Sequence, residues 1–276
     1  MIIKLKILLT NRKKGVKLES NKRNTVQISI HRRRSQGGIP GSFFVYIIKL
    51  FSGMVYKVYK PGEENVMKIL VINPNSDEHT DEVMRQKAAA FVKGEIEVDV
   101  KHASKAPKLV GAGYDQYLGA EEMVRYVQEG DEYDAFIVAC HGDPNLDILK
   151  SITDKPVVGI AQASMKVASM LGNTFAVISP SLDSYSPKVA LARKYHCNDL
   201  FVGCKIAKSN ETEDIIAAAR EAKEDYNVDC IVLGCANYVL ADKEAEKELG
   251  IPVIDGLACA LFMAEGLAKY KKYKEA

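Results

Sequence analysis

Two stretches of this chain end an apolar run on a cysteine. Asp134-Ala-Phe-Ile-Val-Ala-Cys140 and Asp229-Cys-Ile-Val-Leu-Gly-Cys235 each carry an aspartate six residues before the final cysteine. After Cys140 the chain continues His141-Gly142-Asp143-Pro144. Gly142 permits a tight turn, Asp143 suits a helix N-cap and Pro144 suits the first helical position. That pattern predicts Cys140 at the edge of a helix N-terminus, where a thiolate is favoured over its free pKa of about 8.5. Gly234 and Ala236 flank Cys235 with small groups, which leaves room for a ligand. Two thiols facing each other suit one reaction above others. One removes a proton from one face of a carbon as base, and the other returns a proton to the opposite face as acid. Such chemistry calls for no cofactor, and neither a G-x-G-x-x-G nor a G-x-x-x-x-G-K-[ST] motif occurs. No C-x-x-C pair occurs either, so we expect no metal site.

The elements that must position these thiols are short. Ile69–Ile72, Ala135–Ala139, Val157–Ile160, Phe175–Ile178, Cys230–Leu233 and Val253–Ile254 are branched aliphatic runs bounded by Gly, Pro, Asn or Asp, as buried parallel strands are. Helical patterns lie between them at Thr80–Val92, Ala120–Gln128, Ser164–Leu171, Thr212–Tyr226 and Asp242–Leu249. The alternation predicts an α/β protein with helices on both faces of its sheets.

The pattern occurs twice. Val71-Ile-Asn-Pro-Asn75 is echoed by Val177-Ile-Ser-Pro-Ser181, and the Pro156-Val-Val-Gly strand after Cys140 by Pro252-Val-Ile-Asp after Cys235. Three matches in one order predict two pseudo-symmetric domains around a cleft. We place them at residues 67–165 and 166–256, with a C-terminal helix over 257–276 packing back on the first domain. In open parallel sheets, ligands bind beyond the carboxyl ends of strands. Asn73 and Ser179 fall at such ends, either as substrate contacts or as formers of the turns before Pro74 and Pro180.

Charge divides the chain differently. The 276 residues carry a formal net charge of +2. Residues 1–66 hold 14 Lys+Arg against 3 Asp+Glu, whereas the rest hold 24 against 33. The acidic majority argues against a nucleic-acid partner. Neither Met1–Thr10 nor Ser42–Tyr59 is long and clean enough for a secretory signal or a membrane span, because lysines interrupt both. We read residues 1–66 as a solvated basic extension, and Met67-Lys68 before the first strand as the start of natural translation. All six cysteines lie in the second half without a disulfide pattern, which suits a reducing, cytoplasmic setting.

From Met67 onward the chain resembles the Asp/Glu/hydantoin racemase superfamily, in particular its hydantoin and allantoin racemase branch. The matching stretches are Ile69-Leu-Val-Ile-Asn-Pro-Asn-Ser76, Ala139-Cys-His-Gly-Asp-Pro144 with Pro156-Val-Val-Gly-Ile160, and Leu233-Gly-Cys-Ala236. The resemblance implies two flavodoxin-like domains, a homo-oligomer, and a cofactor-independent racemase of a small molecule with Cys140 and Cys235 as its acid–base pair. It also implies substrate contacts from Asn73, Ser76 and the backbone after each cysteine, at Gly142, Ala236 and Asn237. His141 departs from the branch, as does Asn237-Tyr238, and both neighbour the pocket. His141 either tunes the adjacent thiol, binds a substrate carbonyl or lines the pocket. Neither cysteine loop contains Arg or Lys, which favours an uncharged ring over a dicarboxylate unless a distant cation folds in. Cys230 and Cys259 read as core, and Cys197 and Cys204 receive no role.

Overall fold

The structure, a computed structural model, describes residues 46–49, 55–58, 66–92, 96–111, 113–238 and 240–275. The expectations of a basic extension and of a translation start at Met67 otherwise lie outside the described residues. Within residues 1–66, strands β1 (Tyr46–Lys49) and β2 (Val55–Val58) pair antiparallel, a regular element that the sequence reading did not include. The chain from Val66 to Ala276 forms a unit of its own.

That unit contains two four-stranded parallel sheets. The first has the strand order β4-β3-β5-β6, built from β3 (Lys68–Asn73), β4 (Glu97–His102), β5 (Ala135–Val138) and β6 (Val157–Gly159). The second comprises β7 (Phe175–Ser179), β8 (Phe201–Ile206), β9 (Cys230–Leu233) and β10 (Val253–Asp255), in the order β8-β7-β9-β10. Both follow one doubly wound topology, with the first strand of each lobe at its centre. The central strands are buried on both faces, as continuous runs such as Ile69-Leu-Val-Ile72 and Phe175-Ala-Val-Ile178 require. Strands β4 and β8 were not expected from the sequence. Each has one strand neighbour, and Glu97-Val-Asp-Val-Lys-His102 alternates instead of forming an apolar run. An edge strand needs only one buried face, so a search for unbroken runs passes over it.

Five helices belong to the first lobe or leave it: α1 (Glu78–Val92), α2 (Tyr114–Leu118), α3 (Ala120–Gln128), α4 (Leu146–Ser151) and α5 (Ile160–Leu171). Four follow in the second: α6 (Tyr185–Lys194), α7 (Thr212–Tyr226), α8 (Ala241–Leu249) and α9 (Gly256–Glu275). The last helix of each lobe packs across the boundary. Ala161, Met165 and Ala168 of α5 share a core with Phe175, Val177, Cys230 and Val232 of the second sheet. Leu257, Ala260, Leu261, Ala264 and Ala268 of α9 cover Ile69, Val71, Ala135 and Ile137 of the first. This exchange makes the two lobes one folding unit and brings the carboxyl ends of both sheets together. A boundary between residues 165 and 166 therefore cuts through α5, which begins four residues earlier than its expected start at Ser164.

Candidate active site

The turns that carry the two cysteines are built alike. At the end of β5 the Ala139 N–H donates to the Ile72 carbonyl (2.9 Å), and at the end of β9 the Gly234 N–H donates to Ile178 (2.7 Å). Beyond each strand the chain closes a turn over its cysteine, with Asp143 N–H to Cys140 O at 2.9 Å and Tyr238 N–H to Cys235 O at 3.4 Å. Gly234 is required there, because a Cβ would stand 2.6 Å from the Ile178 carbonyl oxygen. Even the preceding aspartates correspond. The Asp134 carboxylate accepts from Lys68 N–H, and that of Asp229 accepts from Asn173 and Thr174 N–H. The sequence repeat is thus a repeat of hydrogen bonds.

Both thiols are partly covered, and they are close enough for charge on Cys235 to oppose ionisation of Cys140. Burial pushes the pKa of each above the ordinary thiol value. Opposing that, the Gly142 N–H favours the Cys140 thiolate and the Asn237 N–H favours that of Cys235, each two residues beyond its cysteine. The lysine ammonium of Lys188 acts in the same sense on both, and Lys87 on Cys235 alone.

Asp143 does not cap the helix that follows it. It adopts a positive φ of 45°, and α4 begins only after Asn145. The Asp143 carboxylate instead caps α5, accepting from Ala161 N–H (3.0 Å) and Gln162 N–H (2.7 Å), and it also accepts from the Tyr195 hydroxyl (2.5 Å). Gly159 makes this possible, since a Cβ there would lie 2.3 Å from the Asp143 carboxyl carbon. The expected thiolate stabilisation by a helix directly after Cys140 is accordingly absent. The short α4 starts too late, and burial raises the thiol pKa rather than lowering it.

His141 is buried, and both of its ring nitrogens are engaged within the protein. Its Nδ1 lies 2.8 Å from the Lys188 Nζ and its Nε2 3.1 Å from the Ser164 hydroxyl. An ammonium can only donate, so Nδ1 is the acceptor and Nε2 carries the hydrogen donated to Ser164. Ser164 passes its own hydrogen to the Ile160 carbonyl at 2.8 Å. Burial and the adjacent Lys188 hold the imidazole pKa well below its ordinary value, so the ring is neutral.

Lys188, which the sequence reading passed over, is 5% exposed. Besides His141 Nδ1 it donates to the His141 carbonyl and to the Gly234 carbonyl (3.3 Å). One ammonium thereby ties the residue after Cys140 to the residue before Cys235. A signal for it was present. Lys188 falls on one stripe with Leu191, Ala192 and Tyr195, at the i, i+3, i+4 and i+7 spacing of a buried helix face.

The remaining expected contacts divide into engaged and open groups. Asn73 is fully buried and saturated. Its amide donates to Asn75 Oδ1 (2.9 Å), Asp81 Oδ1 (2.8 Å) and the Asp77 carbonyl (3.4 Å), while its Oδ1 accepts from Asn75 N–H. Asp81 in turn holds His102 Nδ1 at 2.7 Å. Asn73 therefore anchors the turn after β3. Ser76 is half-buried in that turn, and its N–H donates to the Pro107 carbonyl at 3.3 Å. Ser179 holds the position equivalent to Asn73, with its carbonyl accepting from Ala207 N–H as that of Asn73 does from Ala103. Its hydroxyl is buried without a hydrogen-bond partner of good geometry, although it acts on the neighbouring Cys204 thiol. Asn237 Oδ1 is likewise buried and unpartnered. Gly142 is half-buried beside the Cys140 sulfur, and Ala236 packs against the core of the first lobe, across the boundary from its own sheet. Among the described residues no group of His, Cys, Asp and Glu could hold a metal ion, and no helix is long and apolar enough to cross a membrane.

Comparison with known proteins agrees with this arrangement. Residues 69–264 match the family model described as Asp/Glu/Hydantoin racemase. A hydantoin racemase of Paenarthrobacter aurescens is 31% identical over 216 residues, covering 73% of this chain and 91% of that protein. Another from Pseudomonas sp. (strain NS671) is 31% identical over 230 residues, covering 75% and 91%. Among solved structures, the allantoin racemase from Klebsiella pneumoniae superposes with a TM-score of 0.70 at 23% identity, over 74% of this chain and 89% of that one, which shows the shared fold. With two parallel sheets of one topology, a cysteine at the end of an equivalent strand in each, and a family match across both, the chain belongs to the Asp/Glu/hydantoin racemase family.

Proposed function

We propose that the protein is a cofactor-independent racemase of a carbon next to a carbonyl, with a 5-substituted hydantoin or allantoin as its substrate. The observation that carries this reading is the equivalence of Cys140 and Cys235 in their turns, each at the end of the corresponding strand of its sheet. In one direction the Cys140 thiolate takes the C5 proton and becomes a thiol. The C–H electron pair enters the ring as an enolate, and the Cys235 thiol delivers its own proton to the opposite face and becomes a thiolate. For the other enantiomer the roles exchange. The loops at Gly142 and Asn237 and the unpartnered hydroxyl of Ser179 are suited to a ring whose carbonyl charge grows in the enolate. Asn73 and Ser76 shape the loop beside them.

Lys188 supports an uncharged ring. It is the distant cation that folds in, yet its three hydrogens are spent on His141 Nδ1, His141 O and Gly234 O, so none is left for a substrate carboxylate. We further propose that the enzyme acts as a homo-oligomer in the cytoplasm. The test of the activity is polarimetry or circular dichroism on single enantiomers of substituted hydantoins, allantoin, aspartate and glutamate. Loss of optical activity is expected for the ring compounds. Racemisation of the amino acids alone would overturn the substrate assignment, and inversion of none would overturn the reaction.

A further inference from the structure

Lysine is rarely buried without a carboxylate, because an ammonium taken out of water is costly unless paired. Among the described residues two lysines are buried, Lys87 and Lys188, each on the helix that follows the first strand of its lobe. Lys87 meets the usual condition, since its Nζ lies 2.6 Å from the Asp255 carboxylate. Lys188 does not. No carboxylate among the described residues lies within ion-pair distance of its Nζ, and its hydrogen-bond partners are two carbonyls and a neutral imidazole. Asp143, the carboxylate that acts on Lys188, already accepts from Ala161, Gln162 and Tyr195. Burial lowers the Lys188 pKa, and the groups whose negative charge opposes that and favours the ammonium are the thiols of Cys140, Cys204 and Cys235, followed by Asp143. Of these, Cys140 and Cys235 flank the carbonyl-bearing residues that Lys188 grips.

We propose that Lys188 is a positioning residue that clamps the two cysteine loops together and serves as the single counter-cation shared by Cys140 and Cys235, so that one of them carries charge at a time. This rests on the reading of the two thiols as an acid–base pair. One cation for two thiols gives that pair its working state, with one thiolate to accept a proton and one thiol to donate. When the proton inventory moves across the substrate, the charge passes from one sulfur to the other while the cation between them stays still. Charge on both sulfurs is opposed because each repels the other and one ammonium, Lys188, is shared between them, Lys87 acting on Cys235. His141 takes its role from this clamp. Its neutral ring offers Nδ1 to Lys188, and Ser164 and the start of α5 hold the ring in that tautomer.

The groups facing Lys188 are Cys140, His141 and Asp143 from the first lobe and Cys204 and Cys235 from the second, with Lys87 acting on Cys235. The test compares Lys188→Met, Lys188→Gln and Lys188→Arg with the parent protein. The rate of iodoacetamide alkylation at Cys140 and at Cys235 is measured against pH without substrate, by peptide mass. Met removes tether and charge, Gln keeps hydrogen-bond donors without charge, and Arg keeps a charge that cannot be lost. In Met and Gln the alkylation midpoints of both cysteines should rise by about one pH unit, a roughly tenfold slower reaction at neutral pH. Arg should keep both midpoints at or below those of the parent. Unchanged midpoints in Gln, or a rise in Arg equal to that in Met, would overturn the proposal. Should Met and Gln fail to fold by circular dichroism, Arg decides: midpoints at or below those of the parent are expected, and a rise of about one pH unit in either would overturn the proposal. Because no turnover is measured, a protein that racemises nothing can still pass or fail this test.

Discussion

The Lys87 ammonium of the first lobe and the Asp255 carboxylate of the second stand 2.6 Å apart, with side chains 4% and 7% exposed. They are 168 residues apart in the chain. Asp255 also accepts from the Ala258 N–H at 2.9 Å, so the same carboxylate caps the helix that crosses back onto the first sheet. The pair fastens the two lobes, and Lys87 also favours the Cys235 thiolate.

Breaking that pair leaves a buried charge unpaired. Lys87→Met and Asp255→Ala should each cost about 3–5 kcal/mol of stability. Asp255→Ala should cost more, since it also removes the cap. Chemical denaturation of both single variants and the double variant checks this. The double variant should lose less than the two single losses together.

Cys140→Ser and Cys235→Ser should each reduce racemisation by at least about 10²–10⁴-fold, the range for loss of a general acid or base. Each variant should still exchange the substrate C5 proton for deuterium in one enantiomer, and the two variants should prefer opposite enantiomers. Proton NMR in deuterated buffer reads this directly. Full racemisation by both variants would exclude the two-thiol mechanism.

The activity should depend on pH through the thiols and not through His141. Burial raises both thiol pKa values, so the fraction holding a thiolate base grows as pH rises past the ordinary thiol range of about 8.5. Activity should climb to an alkaline maximum and fall when the second thiol ionises and the acid is lost. His141, kept neutral by burial, should add no step near its ordinary pKa. A rate profile with a midpoint near 6.5 that His141→Gln removes would contradict this assignment.

Asp77 caps α1 by accepting from the Thr80 N–H (3.2 Å) and hydroxyl (2.7 Å), which holds its carboxyl below the ordinary value. A carboxyl with a lowered folded pKa contributes stability above its unfolded pKa, and that contribution is lost as pH falls through the folded one. Asp77→Ala should therefore cost about 1 kcal/mol at neutral pH. It should cost progressively less below about pH 4, in paired denaturation curves across that window.

Much of this architecture was legible because it is local or periodic. Ile69–Ile72 and Phe175–Ile178 announce central strands by unbroken apolar character, and α7 begins and ends on the residues expected of it. The repeat of Asp134 to Cys140 in Asp229 to Cys235 marks both thiols as lying at equivalent strand ends. Edge strands β4 and β8 escaped because neither forms a fully buried run: β4 alternates over six residues, and β8 is mostly half-buried. The start of α5 escaped because its cap, Asp143, comes from another loop. Local reasoning gave that aspartate to the nearest helix, and the positive φ at Asp143 and Asn145 turned it elsewhere.

The two-lobed α/β plan, the duplicated order of strands and the pair of cysteines at matching positions follow from the amino-acid order alone. Each of these is written in neighbouring residues or in a period of the chain. Only the tertiary structure decided what surrounds the thiols. Lys188 reaches His141 across 47 residues and Gly234 across 46, and Lys87 reaches Asp255 across 168. A lysine on an apolar stripe gives no sign of its partner, because burying its charge becomes tolerable only when the fold delivers carbonyls, an imidazole or a carboxylate to its ammonium.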